Sequence, residues 1–115
     1  MNQSLENLKL IYDNAYRVVN NALFILNVPD IEDKDYRGAV WNVVTAFKIA
    51  ESFLLIDEED KGSDVFEDRV QELREIELWI DECEEFHDSG LHALHDVRET
   101  LIIYASRLKN LYLDI

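Results

Sequence analysis

SLENLKLIYDNAYRVVNNALFILN, residues 4–27, decides the fold class. Its Leu5, Leu8, Tyr12, Ala15, Val19, Ala22 and Leu26 recur at alternating steps of three and four residues. That spacing lines one face of an α-helix, whereas a strand would need a period of two. Pro29 ends the run, because proline has no N–H to donate and its ring disfavours helical geometry in the residue before it.

The same rhythm repeats downstream. Tyr36, Val40, Val43, Phe47, Ala50 and Leu54 mark a second helix, for which Asp30, Asp33 and Asp35 are candidate caps. A polar link, Asp57 to Ser63, contains Gly62, and Ser63 or Asp64 is placed to cap a third helix carrying Phe66, Val70, Leu73, Ile76, Ile80 and Cys83. Gly90 suits the left-handed residue that ends it. Leu94, Val97, Leu101, Tyr104, Leu108, Leu111 and Ile115 form the stripe of a fourth. The expected helices, about 4–27, 35–56, 64–88 and 91–114, are similar in length and joined by short links. Those features predict one all-α domain, residues 1–115, arranged as an antiparallel up-down four-helix bundle. The alternative is an all-α arrangement in which one long helix pairs with a second chain.

Composition excludes several classes. Three glycines and one proline are too few for a many-turned β-sandwich or barrel. The single cysteine, Cys83, rules out a disulfide framework within one chain and a Cys-based zinc cluster. No run of eighteen apolar residues occurs and the N-terminus lacks a basic, hydrophobic leader, so a cytoplasmic location is expected, with no membrane partner. A formal net charge of −14 repels nucleic acid and anionic membranes and attracts basic protein surfaces.

The charge is concentrated. Asp57 to Asp88 holds fifteen acids and three bases, a net of −12, leaving −2 for everything else. On the third helix, Glu77, Asp81, Glu84 and Asp88 follow helical steps of three and four, while Glu67, Asp68, Glu72, Glu75, Glu82 and Glu85 cover much of the remaining outward surface. Like charges at such spacings cost a few tenths of a kcal/mol per pair. A solubilising face is the commonest meaning of a charge run. Rows of carboxylates also resemble the phosphates of one nucleic-acid strand, which makes the helix a candidate docking surface for a basic protein. Leu78 and Trp79 lie inside this acidic ring, the composition of a binding hot spot, although Trp79 also sits at the edge of the core stripe, where packing is the commoner role.

Projection at 100° per residue places other apolar side chains off the core stripes: Leu10, Phe24, Trp41, Ile49 and Ile103. The outward face of the second helix, which includes Trp41, Thr45 and Ile49, carries one charge, Lys48, in a chain that is 31% charged. Such a face is usually covered, and a homodimer through Trp41, Thr45 and Ile49 is the expected cover.

Chemistry is sparse. Glu84 and His87 form a Glu-x-x-His motif of the kind found in di-metal bundles, but away from their first turns the first two helices offer only Asp13 and Glu51 as further carboxylates. His87, His92 and His95 cluster, yet histidines near a helix start are more often solvated. Cys83 and His87 lie one turn apart, but Cys83 falls on the core stripe. No phosphate loop, nucleophile elbow or zinc-protease motif is present. No catalytic residue, cofactor or metal is expected, and the protein is not expected to be an enzyme.

In size, acidity and helix content the chain is similar to small phage anti-restriction proteins that imitate DNA. Tyr12-Asp-Asn-Ala-Tyr16 and Glu85-Phe-His-Asp-Ser-Gly-Leu91 resemble pieces of one such family and cover about a tenth of the chain. That family's acidic C-terminal tail is missing, since this chain ends Leu111-Tyr-Leu-Asp-Ile115, and no membership is inferred. Acidic helical immunity proteins, which shield cells from nuclease toxins, share the same composition. The expectation is therefore a small acidic protein that binds and inhibits or masks a basic, nucleic-acid-acting protein. The competing expectation is a structural homo-oligomer with no inhibitory role.

Overall fold

A computed structural model describes the backbone of residues 2–58 and 66–115 and the side chains of residues 6–55 and 71–115. The expected caps Ser63 and Asp64, and the side chains of Leu5, Ile56, Phe66, Glu67, Asp68 and Val70, lie outside the described residues. The described elements are helical throughout: α1 (Asn2–Leu26), α2 (Asp33–Glu58), α3 (Phe66–Ser89) and α4 (Leu94–Leu113). No loop separates α3 from α4, because Gly90–Ala93 joins them as a 3-10 turn. The described residues are thus all-helical, in three continuous helical stretches, the third turning at Gly90 from α3 into α4.

α1 packs on α2 and on α4, and α2 packs on α3 as well. Glu75 pairs with Arg107 and Glu82 with Tyr104, so the α4 arm runs back along α3. The particle is elongated, 50 × 21 × 17 Å. Its core is the set of periodic stripes: Tyr12, Val19, Leu26, Tyr36, Val43, Phe47, Ala50, Leu54, Ile76, Cys83, Val97 and Leu108 are all fully buried. Burying a residue such as Leu or Val contributes about 1.5–3 kcal/mol, so these stripes hold the helices together. Phe47, Trp79 and Tyr104 form an aromatic cluster with ring centroids 4.6–5.7 Å apart, joining α2, α3 and α4. Residues 33–55 of α2 are long and apolar enough, by length and composition, to cross a membrane. Core positions from Tyr36 through Leu54 supply part of that apolarity, while Trp41, Ile49 and Leu55 are exposed.

Helix ends are satisfied by side chains from other helices. The Leu26 carbonyl, at the end of α1, accepts from Arg98 Nε at 2.9 Å and Nη2 at 2.5 Å. At the end of α3, the Phe86 carbonyl accepts from the Tyr36 hydroxyl at 2.6 Å and the His87 carbonyl from Arg37 Nη1 at 3.1 Å. A guanidinium at a helix C-terminus both fills orphan acceptors and complements the negative end of the dipole.

Two capping expectations are corrected. The first bonds of α2 run to the Glu32 carbonyl, from the Asp35 and Tyr36 N–H groups, so Asp33 and Asp35 sit in its first turn. Asp30 is a left-handed residue, φ 54°, in the turn after Pro29. The Asp33 carboxylate instead reaches across to the bend, where Oδ1 accepts from the Leu91 N–H at 3.2 Å while Oδ2 holds Arg37 Nε at 2.6 Å. Gly90 is left-handed, φ 71°, as its position suggested. A Cβ there would lie 2.8 Å from Arg37 Nη2 and 2.9 Å from Asp33 Oδ1, so the bend, the pair and the glycine belong to one joint.

Candidate docking surface

The outward side of α3 is set by which residues its neighbours take up. Leu73, Ile76, Ile80 and Cys83 face the core, and Trp79 joins them, stacked on Tyr104 at 4.6 Å. Trp79 is therefore removed from the candidate docking set. Glu72 is also buried, and its carboxylate accepts from the Tyr12 hydroxyl on α1 at 2.5 Å. Glu75 is half-buried and bound by both Arg107 Nε and Nη2, at 3.0 and 2.9 Å, a forked charge-assisted pair. Its carboxylate in turn raises the Arg107 pKa. These two glutamates tie α3 to α1 and α4, so they leave the docking set with Trp79.

What remains outward is Glu77, Leu78, Asp81, Glu82, Glu85 and Asp88, all exposed, with Glu84 half-buried at the edge. Over residues 71–88 this leaves six carboxylates on the outer side against one guanidinium, Arg74. Glu82 also accepts from the Tyr104 hydroxyl, whose ionisation is disfavoured by burial and by that carboxylate. Leu78 stands in the middle of the row at 61% exposure. Its neighbours one turn away are Arg74, Glu75, Asp81 and Glu82. The side chain is apolar, and the ionised carboxylates beside it accept hydrogen bonds but offer none.

The other apolar side chains expected outward are exposed as well. Leu10, Phe24, Ile49 and Ile103 are at 66%, 79%, 48% and 65%. Trp41 is exposed at one edge, but its ring leans on His87, 5.1 Å between centroids, with Lys48 Nζ over it at 5.6 Å. It thus reaches the C-terminal end of α3. Ile102 and Leu113 are exposed too, and their signal lay in the same helical projection.

The polar residues weighed for chemistry are dispersed. His87 Nδ1 lies 3.1 Å from Asp88, His95 Nε2 lies 3.3 Å from Glu99, and His92 is exposed. Among the described residues no group of three His, Cys, Asp or Glu side chains is arranged to hold a metal ion. Cys83 is buried, and desolvation pushes its thiol up to about 12. Neither a thiolate nor an open path to it is offered at neutral pH.

Compared with protein-family models, with curated proteins and with solved structures, the chain matches none of them. Function is therefore argued from the surface itself.

Proposed function

We propose that this chain is a small acidic interaction protein that binds a basic, nucleic-acid-acting protein and inhibits or masks it through the outer face of α3. The scaffold is read as an up-down four-helix bundle whose α1, α2 and α4 hold α3 with that face outward. The observation that carries the proposal is Leu78, an exposed apolar side chain in a row of exposed carboxylates. Charge steers a basic partner, and burial of Leu78 slows its departure. Rows of carboxylates attract the same lysine and arginine clusters that bind phosphates, which favours a nucleic-acid-acting target of the DNA-mimic, anti-defence or immunity type. Binding at this face needs no cofactor and no catalytic step, and a cytoplasmic site of action suits such a target.

The test is comparative capture from native lysate with two baits, the unaltered protein and the variant Glu77→Gln, Asp81→Asn, Glu85→Gln. The proposal expects a basic protein on the first bait, eluted by salt and absent from the second. Identical captured sets on both baits would return the acidic face to a solubilising role.

A further inference from the structure

An outer groove of about 240 Å³ runs between α1 and α2. Asn14, Val18, Asn21 and Ile25 line one wall and Thr45 and Ile49 the other, and no lining side chain is charged. In a chain that is 31% charged, that absence is a property of the face. We propose that a second copy of this chain seats here, groove against groove across a two-fold axis. The partner face is thus separate from the acidic surface of α3, and either can fail without the other.

Charge selects the occupant. Two copies carry −14 each, and approach through the α3 face would set carboxylates against carboxylates. The α1–α2 groove is where like copies meet without that repulsion. The polar groups there are self-complementary: asparagine and threonine side chains both donate and accept, so one surface satisfies its own copy, as an isologous interface requires. A row of ionised carboxylates only accepts and cannot do so.

Gly38 adds a separate observation. It lies inside α2 and borders the continuation of the groove toward the α1–α2 turn, where the uncharged lining gives way to Asp30, Glu32, Lys34 and Asp35. A Cβ there would meet nothing within 4 Å, and the residue is not among the left-handed ones. The fold of one chain thus gives no reason for a glycine that weakens the helix. Its bare backbone permits close approach by a neighbouring helix. The face also narrows the surface suggested by spacing alone: Thr45 and Ile49 belong to it, and Trp41, turned toward His87, does not.

Sedimentation velocity of the full chain from low to high micromolar concentration tests the proposal, with a species of twice the 13.5 kDa chain expected. Asn21→Glu and Ile49→Glu should each weaken association by about tenfold or more, with helical circular dichroism unchanged. Thr45→Cys should form an interchain disulfide on mild oxidation, because the native Cys83 is buried. Asp81→Cys, on α3, should not. An unaltered chain that stays monomeric at high micromolar concentration would overturn the proposal. So would a dimer that Asn21→Glu and Ile49→Glu leave intact, or one that Asp81→Cys cross-links as readily as Thr45→Cys.

Discussion

Replacing Gly90 by alanine should destabilise the protein, whereas the same change at Gly38 should not. Its φ of 71° is left-handed, where a Cβ crowds the carbonyl and costs about 1–2 kcal/mol. The new Cβ also falls 2.8 Å from Arg37 Nη2 and 2.9 Å from Asp33 Oδ1, well inside contact distance. Both side chains are half-exposed and can swing away, but doing so gives up the Asp33 bond to the Leu91 N–H and the Arg37 bond to the His87 carbonyl. Such bonds are worth about 0.5–1.5 kcal/mol each. The total is about 2–5 kcal/mol. For 115 residues the unfolding entropy near the midpoint is about 0.24 kcal/mol per degree, so the melting temperature should fall by about 8–20 °C. Gly38→Ala is the internal control: its Cβ meets open space, and the helix gains about 0.5–1 kcal/mol, or roughly 2–4 °C. Thermal melts followed at 222 nm, at concentrations too low for association, measure both. If Gly90→Ala melts at or above the temperature of the unaltered protein, the joint of Gly90, Asp33 and Arg37 is not what fixes the bend.

The Asp33 carboxyl is held below its ordinary value of 3.8, chiefly by its bond to Arg37. A carboxyl whose folded pKa is depressed contributes stability that is full above the unfolded value and lost as pH falls through the folded one. Asp33→Asn should therefore flatten the acid limb of a stability–pH curve below about pH 4; an unchanged limb would contradict that role. Cys83, buried and pushed up to about 12, should resist an aromatic disulfide reagent at pH 8 in the native protein and react at once in denaturant. Rapid reaction of the folded protein would show that the core opens there. Leu78→Ala should leave the melting temperature almost unchanged, because the side chain is 61% exposed, yet raise the off-rate of a captured partner by the equivalent of about 1–3 kcal/mol.

The helices were legible because burial and period coincide. Every described residue of the α1 stripe, from Leu8 to Leu26, is buried, and the ends expected for α1, α2 and α3 fall within about two residues of those observed. The α4 start, expected at about 91, lies at Leu94 because Gly90–Ala93 winds as a 3-10 turn. Spacing could not foresee that α3 passes into α4 through a 3-10 turn with no loop between, since Gly90 was a stop signal whose neighbours kept helical bonding. Nor could it sort the acids of α3. A helical projection gives the angle of Glu72 and Glu75 but not who stands opposite, and Tyr12 lies 60 positions away in sequence and Arg107 lies 32 away. Trp79 sat at the edge of its stripe and became core because Phe47 and Tyr104 supply rings on both sides. The exposed Leu78 was legible from its angle alone.

The acidic-helix proposal is tested most directly by the association rate of the captured basic protein as ionic strength rises. Exposed charges are screened beyond about 8 Å at physiological salt. The rate for the unaltered chain should fall steeply with salt, and the Glu77→Gln, Asp81→Asn, Glu85→Gln variant should start slower and show a shallower slope. A rate with the same salt dependence in both proteins would place the docking site elsewhere on the molecule.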